Sequence, residues 1–164
     1  QRRRRRACMV LSRSPVTRRR FATLLSVGLV SACAPRLAGA KSVEVYKDPT
    51  CGFCTGWVGH LRRAGFSASV VEQSDLTAIR ARYGVPEAAL SCHTAVIDGY
   101  FVEGHVPAED IDRLIRLKPM ARGLAVPGMP MGSPGMESPD GRRDPYDVLL
   151  IMRDGSSSAF ARHS

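Results

Sequence analysis

The chain has 164 residues, enough for one domain with a substantial core and too few for two well-packed ones. Its formal charge of +9 would ordinarily indicate a nucleic acid or an acidic membrane surface as partner. However, 10 of the 24 basic residues and none of the 15 acidic ones precede Lys41. The remaining 14 basic and 15 acidic residues nearly cancel, so we expect no nucleic-acid partner for the domain that follows.

The basic N-terminal region, residues 1–40, has the three parts of an export signal. Arg18-Arg19-Arg20 precedes an uncharged apolar stretch at 21–32, and small residues at 38–40 suit a signal peptidase. The apolar stretch of about a dozen residues is shorter than the roughly 20 that a membrane-spanning helix needs. We therefore expect an exported, periplasmic protein whose mature domain is residues 41–164.

Three details refine this prediction. Residues 17–21, Thr-Arg-Arg-Arg-Phe, are similar to a twin-arginine export signal, with an ordinary Sec signal as the alternative. Residues 30–33 are similar to a lipobox, and the protein would be held at a membrane only if Cys33 were lipidated. Met9 is a candidate start, in which case residues 2–8 are an upstream extension.

From Ser42 onward the apolar residues alternate between a period of two and a period near 3.6, as in the strands and helices of an α/β domain. The predicted elements are a strand at 43–47, a helix from about 52 to 64, a strand at 66–72, a helix at 75–83, strands at 94–98 and 100–103, and a helix opened by Pro107. Their order is βαβαββα.

The C-terminal part departs from this alternation. Residues 119–146 have no periodicity and are dense in Gly and Pro, which predicts a functional loop or a disordered segment. Residues 146–152 and 158–162 flank a turn at Asp154-Gly155 and predict a closing β-hairpin.

Cys51-Gly52-Phe53-Cys54 lies at the first predicted strand-to-helix junction. A CxxC at this position in the order βαβαββα is the thioredoxin arrangement. Cys51 would cap the helix and Cys54 would fall in its first turn, so the two sulfurs would lie within disulfide or metal-chelating reach. The expected fold is therefore an α/β, thioredoxin-like βαβαββα core with a Gly/Pro/Met-rich loop and a C-terminal β-hairpin.

The segment expected opposite this pair differs from that of thioredoxins, which place a cis-proline just before the third core strand. Residues 90–95 contain no proline and offer a thiol and an imidazole instead. These are soft or borderline ligands that suit an ion such as Cu(I), which we favour, or Zn(II). The predicted metal ligands are Cys51, Cys54, Cys92 and His93.

Other interpretations of these residues stay open. Export would place Cys51 and Cys54 in an oxidising compartment, where the pair could be a structural disulfide or could exchange with substrate thiols. Cys92 could be a buried core thiol, and His93 could hold a backbone carbonyl. Three cysteines in the mature chain cannot all pair internally, and the thiol left over favours a ligand or a resolving role.

Further candidates for metal ligation are weaker. His105 lies where the predicted hairpin meets the third helix, with an ordinary loop histidine as the alternative. Met129 and Met136 belong to two copies of Pro-Gly-Met, and thioethers bind Cu(I) without deprotonation. Their alternative role is to pack the loop over the core. His60 would point away from the sulfurs, as a surface or capping histidine.

Many segments between Val43 and His163 resemble a bacterial family of exported thioredoxin-like proteins, catalogued as a domain of unknown function and often labelled metal-binding. The matching segments lie at 46–47, 49–52, 57, 60–61, 65–66, 91–95, 99–100, 103–107, 123–124, 126–130, 132–137 and 146–148. The resemblance implies an association with copper and heavy-metal resistance. Many members resemble Cys-Gly-Cys-Cys, whereas this chain has Phe53 at the third place, which would lower its metal capacity if that thiol were a required ligand.

Together these features predict a periplasmic metal-binding protein, a carrier or buffer of Cu(I) or another soft metal that serves metal resistance or homeostasis. Its expected partners are the metal ion and a periplasmic copper-handling protein. The alternative is an enzyme, a thiol-disulfide oxidoreductase with Cys51 as nucleophile and Cys54 as resolving thiol. The missing cis-proline counts against that alternative, because in such enzymes it helps to receive the substrate chain.

Overall fold

The structure, a computed structural model, describes residues 41–164, so the predictions for residues 1–40, including those for Cys33, lie outside it. The elements are β1 (Lys41–Lys47), α1 (Gly52–Arg63), β2 (Phe66–Glu72), α2 (Thr77–Tyr83), a 3-10 turn (Glu87–Ala89), β3 (His93–Ile97), β4 (Tyr100–Glu103), α3 (Ala108–Leu117), β5 (Ala121–Ala125), β6 (Tyr146–Met152) and β7 (Ser157–His163). The predicted α/β class and the order βαβαββα are confirmed, as is the C-terminal hairpin, β6–β7.

The strands of the described residues form one mixed sheet in the order β2-β1-β3-β4-β5-β6-β7. β1 pairs parallel with β2 and antiparallel with β3, and Lys47 at the end of β1 lies opposite His93 at the start of β3. The CxxC segment that follows β1 and the Cys92 that precedes β3 therefore lie at the same end of these two paired strands.

Helix α1 packs against the sheet through the face that the sequence predicts. Its buried side chains, Cys54, Trp57, Val58 and Leu61, recur three and four residues apart. Full burial of each aliphatic side chain stabilises the fold by about 1.5–3 kcal/mol. Trp57 also donates from Nε1 to the Val106 carbonyl at 2.8 Å, which ties α1 to the segment between β4 and α3.

The helix bounds differ slightly from the prediction. The sequence favours Asp75 as the N-cap of helix α2, but Leu76 occupies that position and the helix begins at Thr77. The Asp75 carboxylate still accepts a hydrogen bond from the Thr77 N–H at 2.9 Å. In the part of the chain that the structure describes, no helix has the length and apolar character needed to cross a membrane.

Strand β5 corrects the prediction that all of residues 119–146 form a loop. Arg122 and Gly123 interrupt the apolar pattern, which hides the strand in the sequence. The pairing itself requires glycine, because a Cβ at Gly123 would lie 2.0 Å from the Phe101 carbonyl oxygen. Residues 126–145, which we call the methionine loop, contain neither helix nor strand and connect the neighbouring strands β5 and β6.

His60 caps helix α3. Its Nε2 accepts a hydrogen bond from the Ala108 N–H at 3.1 Å, at a helix terminus where backbone N–H groups have no acceptor within the helix. Burial lowers the pKa of His60 below its ordinary value, which keeps the ring neutral and available as an acceptor. This position agrees with the capping role expected from the sequence.

We expect this cap to make stability depend on pH. Because the pKa of His60 is lower in the folded protein than in the unfolded chain, its contribution is complete above the unfolded value of about 6.5 and is lost as the pH falls through the folded pKa. His60→Gln offers an amide oxygen that does not titrate. Urea unfolding from about pH 7 to pH 5 should therefore show a smaller loss of stability in His60→Gln than in wild type. Parallel stability curves for wild type and His60→Gln would refute this role.

Candidate metal centre

Three cysteines converge where β1 ends and β3 begins. Cys51 is the N-cap of α1, and its Sγ accepts a hydrogen bond from the Cys54 N–H at 3.2 Å. Cys51 and Cys54 form a disulfide, with their Cα atoms 5.4 Å apart. Cys92 keeps a free thiol, and the three Sγ atoms all lie within 4.8 Å of one another.

Two buried imidazoles lie beside the free thiol. Cys92 Sγ is 3.3 Å from His93 Nδ1 and 3.1 Å from His105 Nε2. The two rings are fully buried and meet edge to face, with centroids 5.0 Å apart. Since Cys92 belongs to both groups, the five side chains form one continuous set, which we call the sulfur–imidazole cluster. Its members are Cys51, Cys54, Cys92, His93 and His105.

The cluster fits the predicted ion by the chemistry of its donors. Once the Cys51–Cys54 disulfide is reduced, the cluster offers three thiolates and two imidazole nitrogens, which Cu(I) and Zn(II) prefer, whereas hard ions such as Mg²⁺ and Ca²⁺ require oxygen. His93 Nε2 is buried without a hydrogen-bond partner, and the ring lies 4.4 Å from the Trp57 ring between centroids. The Nδ1 atom of His93 faces the Cys92 sulfur.

Burial sets the protonation of the cluster. It raises the pKa of the Cys92 thiol, lowers the pKa of His93 well below its usual value, and lowers the pKa of His105. Near pH 7 the free protein therefore holds a protonated thiol between two neutral imidazoles. A metal ion bound to Cys92 must displace the thiol proton, so its affinity falls as the pH falls.

A buried ion pair holds the segment that carries Cys92. The fully buried Glu103 carboxylate accepts hydrogen bonds from Arg80 Nη2 at 2.6 Å, from the Ser91 N–H at 2.9 Å and from Thr94 Oγ1 at 2.6 Å. Arg80 Nη2 also donates to the Ser91 carbonyl at 2.6 Å. The N–H and the carbonyl of Ser91 are thus both fixed, which sets the position of the next residue, Cys92, just before β3.

The structure brings the four principal candidates together and adds a fifth. Cys51, Cys54, Cys92 and His93 share one cluster, and His105, a weaker candidate from the sequence, joins them through Cys92. Phe53, at the third place of the Cys51–Cys54 motif, is 54% exposed. Met129 is 51% exposed and Met136 is buried; ligation by either methionine, as by the cluster itself, stays a prediction.

Three residues of the site have no role in the sequence analysis. Glu103 could have been suspected, because it is a carboxylate at the end of an apolar strand, whereas nothing in the sequence pairs it with Arg80. Pro134 acts through its backbone, since its carbonyl oxygen accepts a hydrogen bond from His105 Nδ1 at 2.8 Å. No pattern of side chains signals such a contact.

We expect Glu103→Ala to lower the free energy of unfolding by about 3–5 kcal/mol, because it leaves the Arg80 guanidinium and the Ser91 N–H without their buried partner. Denaturant unfolding measures this loss. Glu87→Ala, at an exposed glutamate of the 3-10 turn, is the matched control and should change stability by less than about 0.5 kcal/mol. Equal losses in the two variants would show that the ion pair does not hold this segment.

Fold and cluster together define a small α/β protein with a Cys/His site suited to soft metals. A family model described as "Protein of unknown function, DUF411" matches residues 89–136. The matched span contains Cys92, His93 and His105, and it ends at Met136.

Two solved structures are similar to the chain over nearly their whole length. One, described as "Copper resistance protein copG- Form 1", is 47% identical with a TM-score of 0.71, and the match covers 76% of this chain and 98% of that one. The other, described as Form 2, is 46% identical with a TM-score of 0.72, and the match covers 76% and 99%. No significant match exists among curated proteins. The chain belongs to the copper-associated DUF411 family.

Proposed function

We propose that the protein is exported to the periplasm and binds Cu(I) there, as a carrier or buffer that serves copper resistance or homeostasis. The observation that carries the proposal is the convergence of three cysteine sulfurs and two buried imidazole nitrogens around Cys92. The similarity to structures described as copper resistance proteins favours copper over Zn(II), the alternative ion. Export rests on the signal-like residues 1–40, with lipidation of Cys33 as the variant that would tether the protein.

Cys92 is the central ligand of this proposal, because it belongs to both groups of converging donors. His93 would bind through Nδ1 and His105 through Nε2, the atoms that face the Cys92 sulfur. Cys51 and Cys54 become thiolate ligands only after their disulfide takes up two electrons, since the thiolate is the form that binds metals. The reduced protein therefore offers five donors and the disulfide form three.

Exchange of the ion with a partner would take place on the Cys51 and Cys92 side of the cluster. These two residues are half-buried, whereas Cys54, His93 and His105 are fully buried. A periplasmic copper-handling protein could therefore reach the ion through the half-buried Cys51 and Cys92 and would have no access to the buried imidazoles. Such an arrangement suits transfer by ligand exchange, in which each new Cu–S bond replaces an old one.

Reduced wild-type protein should retain at least one Cu(I) per chain against a competing chelator under anaerobic conditions. Cys92→Ser should lower the affinity at least about 100-fold, which corresponds to about 2.7 kcal/mol, because the substitution removes a ligand from both groups. The far-UV circular dichroism should stay unchanged. His163→Gln removes an imidazole outside the cluster and should bind like wild type. Retention well below one ion per wild-type chain would overturn the proposal.

The Cys51–Cys54 disulfide supports a second candidate, thiol-disulfide exchange. Cys51 is half-buried and Cys54 fully buried, so Cys51 is the sulfur that a substrate can reach. In the reduced protein, the Cys51 thiolate would attack a substrate disulfide and expel one substrate thiolate. The Cys54 thiolate would then attack the Cys51 sulfur of the mixed disulfide and release the second substrate thiolate, re-forming the intramolecular disulfide.

One pair of variants separates the two candidate functions. If the protein exchanges disulfides, Cys51→Ser should abolish reduction of a model disulfide. The reaction is measured by the absorbance of the coloured thiolate that the model disulfide releases. Cys92→Ser should leave that reaction intact although it weakens Cu(I) binding. If the reduced wild-type protein does not react faster than free dithiothreitol at equal thiol concentration, the oxidoreductase role is excluded.

A further inference from the structure

The hydrogen bond between His105 and Pro134 determines which nitrogen His105 can offer. A carbonyl oxygen only accepts, so the nitrogen that contacts Pro134 O at 2.8 Å, Nδ1, must be the one that has the proton. A neutral imidazole has a single N–H, and its other nitrogen, Nε2, is then free to accept. That nitrogen lies 3.1 Å from Cys92 Sγ.

A close contact between the methionine loop and helix α1 holds Pro134 in place. Gly135, which is buried, has φ +85°, and a Cβ there would lie 2.5 Å from the Trp57 nitrogen and 2.8 Å from the Phe53 carbonyl oxygen. On the helix side, a Cβ at Gly56 would lie 3.2 Å from Gly135 Cα. The contact with α1 therefore requires glycine at position 135, whereas a Cβ at position 56 would be accommodated only if the loop moved by a few tenths of an ångström.

The segment around Pro134 is also braced from within. Ser133 is fully buried, and its N–H and hydroxyl both donate to the Pro130 carbonyl, at 3.2 and 2.7 Å. Met136 donates from its N–H to the Ser133 carbonyl at 2.8 Å and accepts at its own carbonyl from the Gly132 N–H at 2.8 Å. A turn closed by four such hydrogen bonds moves as a unit, so its contact with α1 also fixes the direction of the Pro134 carbonyl.

We propose that residues 130–137 are a positioning element of the metal site: through the Pro134 carbonyl they hold His105 as the Nδ1–H tautomer, so that Nε2 is the nitrogen presented to the ion. The idea rests on the proposed copper site. A carbonyl partner on the distal nitrogen orients a ligand histidine and increases its basicity. In the other tautomer a proton would occupy Nε2, and the nitrogen facing Cys92 would have no lone pair to donate. The methionine loop thus orients a ligand of the cluster through a backbone carbonyl, independently of any ligation by its methionine sulfurs.

Gly135→Ala tests this role, with Gly141→Ala as its matched control. Both residues belong to the methionine loop and have positive φ, +85° and +74°, so alanine meets the same backbone strain at each. Only at Gly135 does the new Cβ collide with α1, since nothing lies within 4 Å of a Cβ at Gly141. Long-range ¹H–¹⁵N correlation spectra of the reduced, metal-free proteins report the tautomer of His105 directly.

We expect wild type and Gly141→Ala to show a protonated Nδ1 and a bare Nε2 at His105, and Gly135→Ala to show a mixture of tautomers. Cu(I) affinity in Gly135→Ala should fall about 10- to 100-fold relative to Gly141→Ala. A wild-type Nε2–H tautomer overturns the proposal, and so does a Gly135→Ala protein that keeps the wild-type tautomer or the wild-type affinity. The tautomer is measured without metal, so failure of wild type to bind Cu(I) would refute the proposed function and leave this test standing.

A second pair of variants covers the case in which Gly135→Ala does not fold. Gly56→Ala presses on Gly135 from the helix side while it replaces a helical glycine by the residue with the highest helix propensity. Gly59→Ala makes the same replacement one turn on, where the new Cβ meets only the end of the Arg63 side chain, at 3.3 Å. Gly56→Ala should shift the His105 tautomer and weaken Cu(I) binding relative to Gly59→Ala. Identical spectra for these two variants count against the positioning role.

Discussion

Strands β1 and β3 pair antiparallel with Lys47 opposite His93, and the whole sulfur–imidazole cluster depends on this register. It puts the end of one strand beside the start of the other, so that Cys92 meets the cysteine pair although 38 residues separate it from Cys54. Side chains alternate between the faces of a sheet, and a slip of one residue would turn His93 to the opposite face. Apolar side chains on one face fix the register: Val43 and Val45 on β1, and Ala95 and Ile97 on β3, point to the same face and are all buried.

The site is a group of polar side chains inside this core, and apart from His93 Nε2 its polar groups have hydrogen-bond partners. Burying a polar group without a partner costs about 1–3 kcal/mol, so Glu103, Thr94 and His105 would be a liability if they stood alone. Each has hydrogen bonds instead, Glu103 to three donors and His105 to the Pro134 carbonyl. These hydrogen bonds hold the surroundings of the Cys92 thiol on two sides. The Arg80–Glu103 ion pair fixes the Ser91 backbone, and the turn at Pro134 fixes His105. Rigid placement of soft donors before the ion arrives is what a site of high affinity requires.

Local patterns in the sequence were sufficient for most of the fold. The spacing of Trp57, Val58 and Leu61 predicts α1, because the helical period and the buried face can both be recognised within about a dozen consecutive residues. Strand β5 escapes the same reasoning, since the need for Gly123 comes from Phe101 on a strand that precedes it by a whole helix. The location of the site follows from the CxxC and from its place in the order of elements. The Arg80–Glu103 pair and the Pro134 carbonyl cannot be predicted in this way. The pair joins residues that are distant in the sequence, and the carbonyl belongs to the backbone.

The methionine loop begins and ends on strands that are hydrogen-bonded to each other, β5 and β6. The chain entropy of closing it is thus offset by the sheet, and each doubling of a loop's length costs only about 0.6 kcal/mol more. Residues 138–142 lie between the braced turn and the segment at Arg143 and Asp144 that contacts it. They can therefore lengthen, shorten or change composition in evolution at little expense to folding. We therefore expect the turn at Pro134 and Gly135 to be constant among relatives and residues 138–142 to vary.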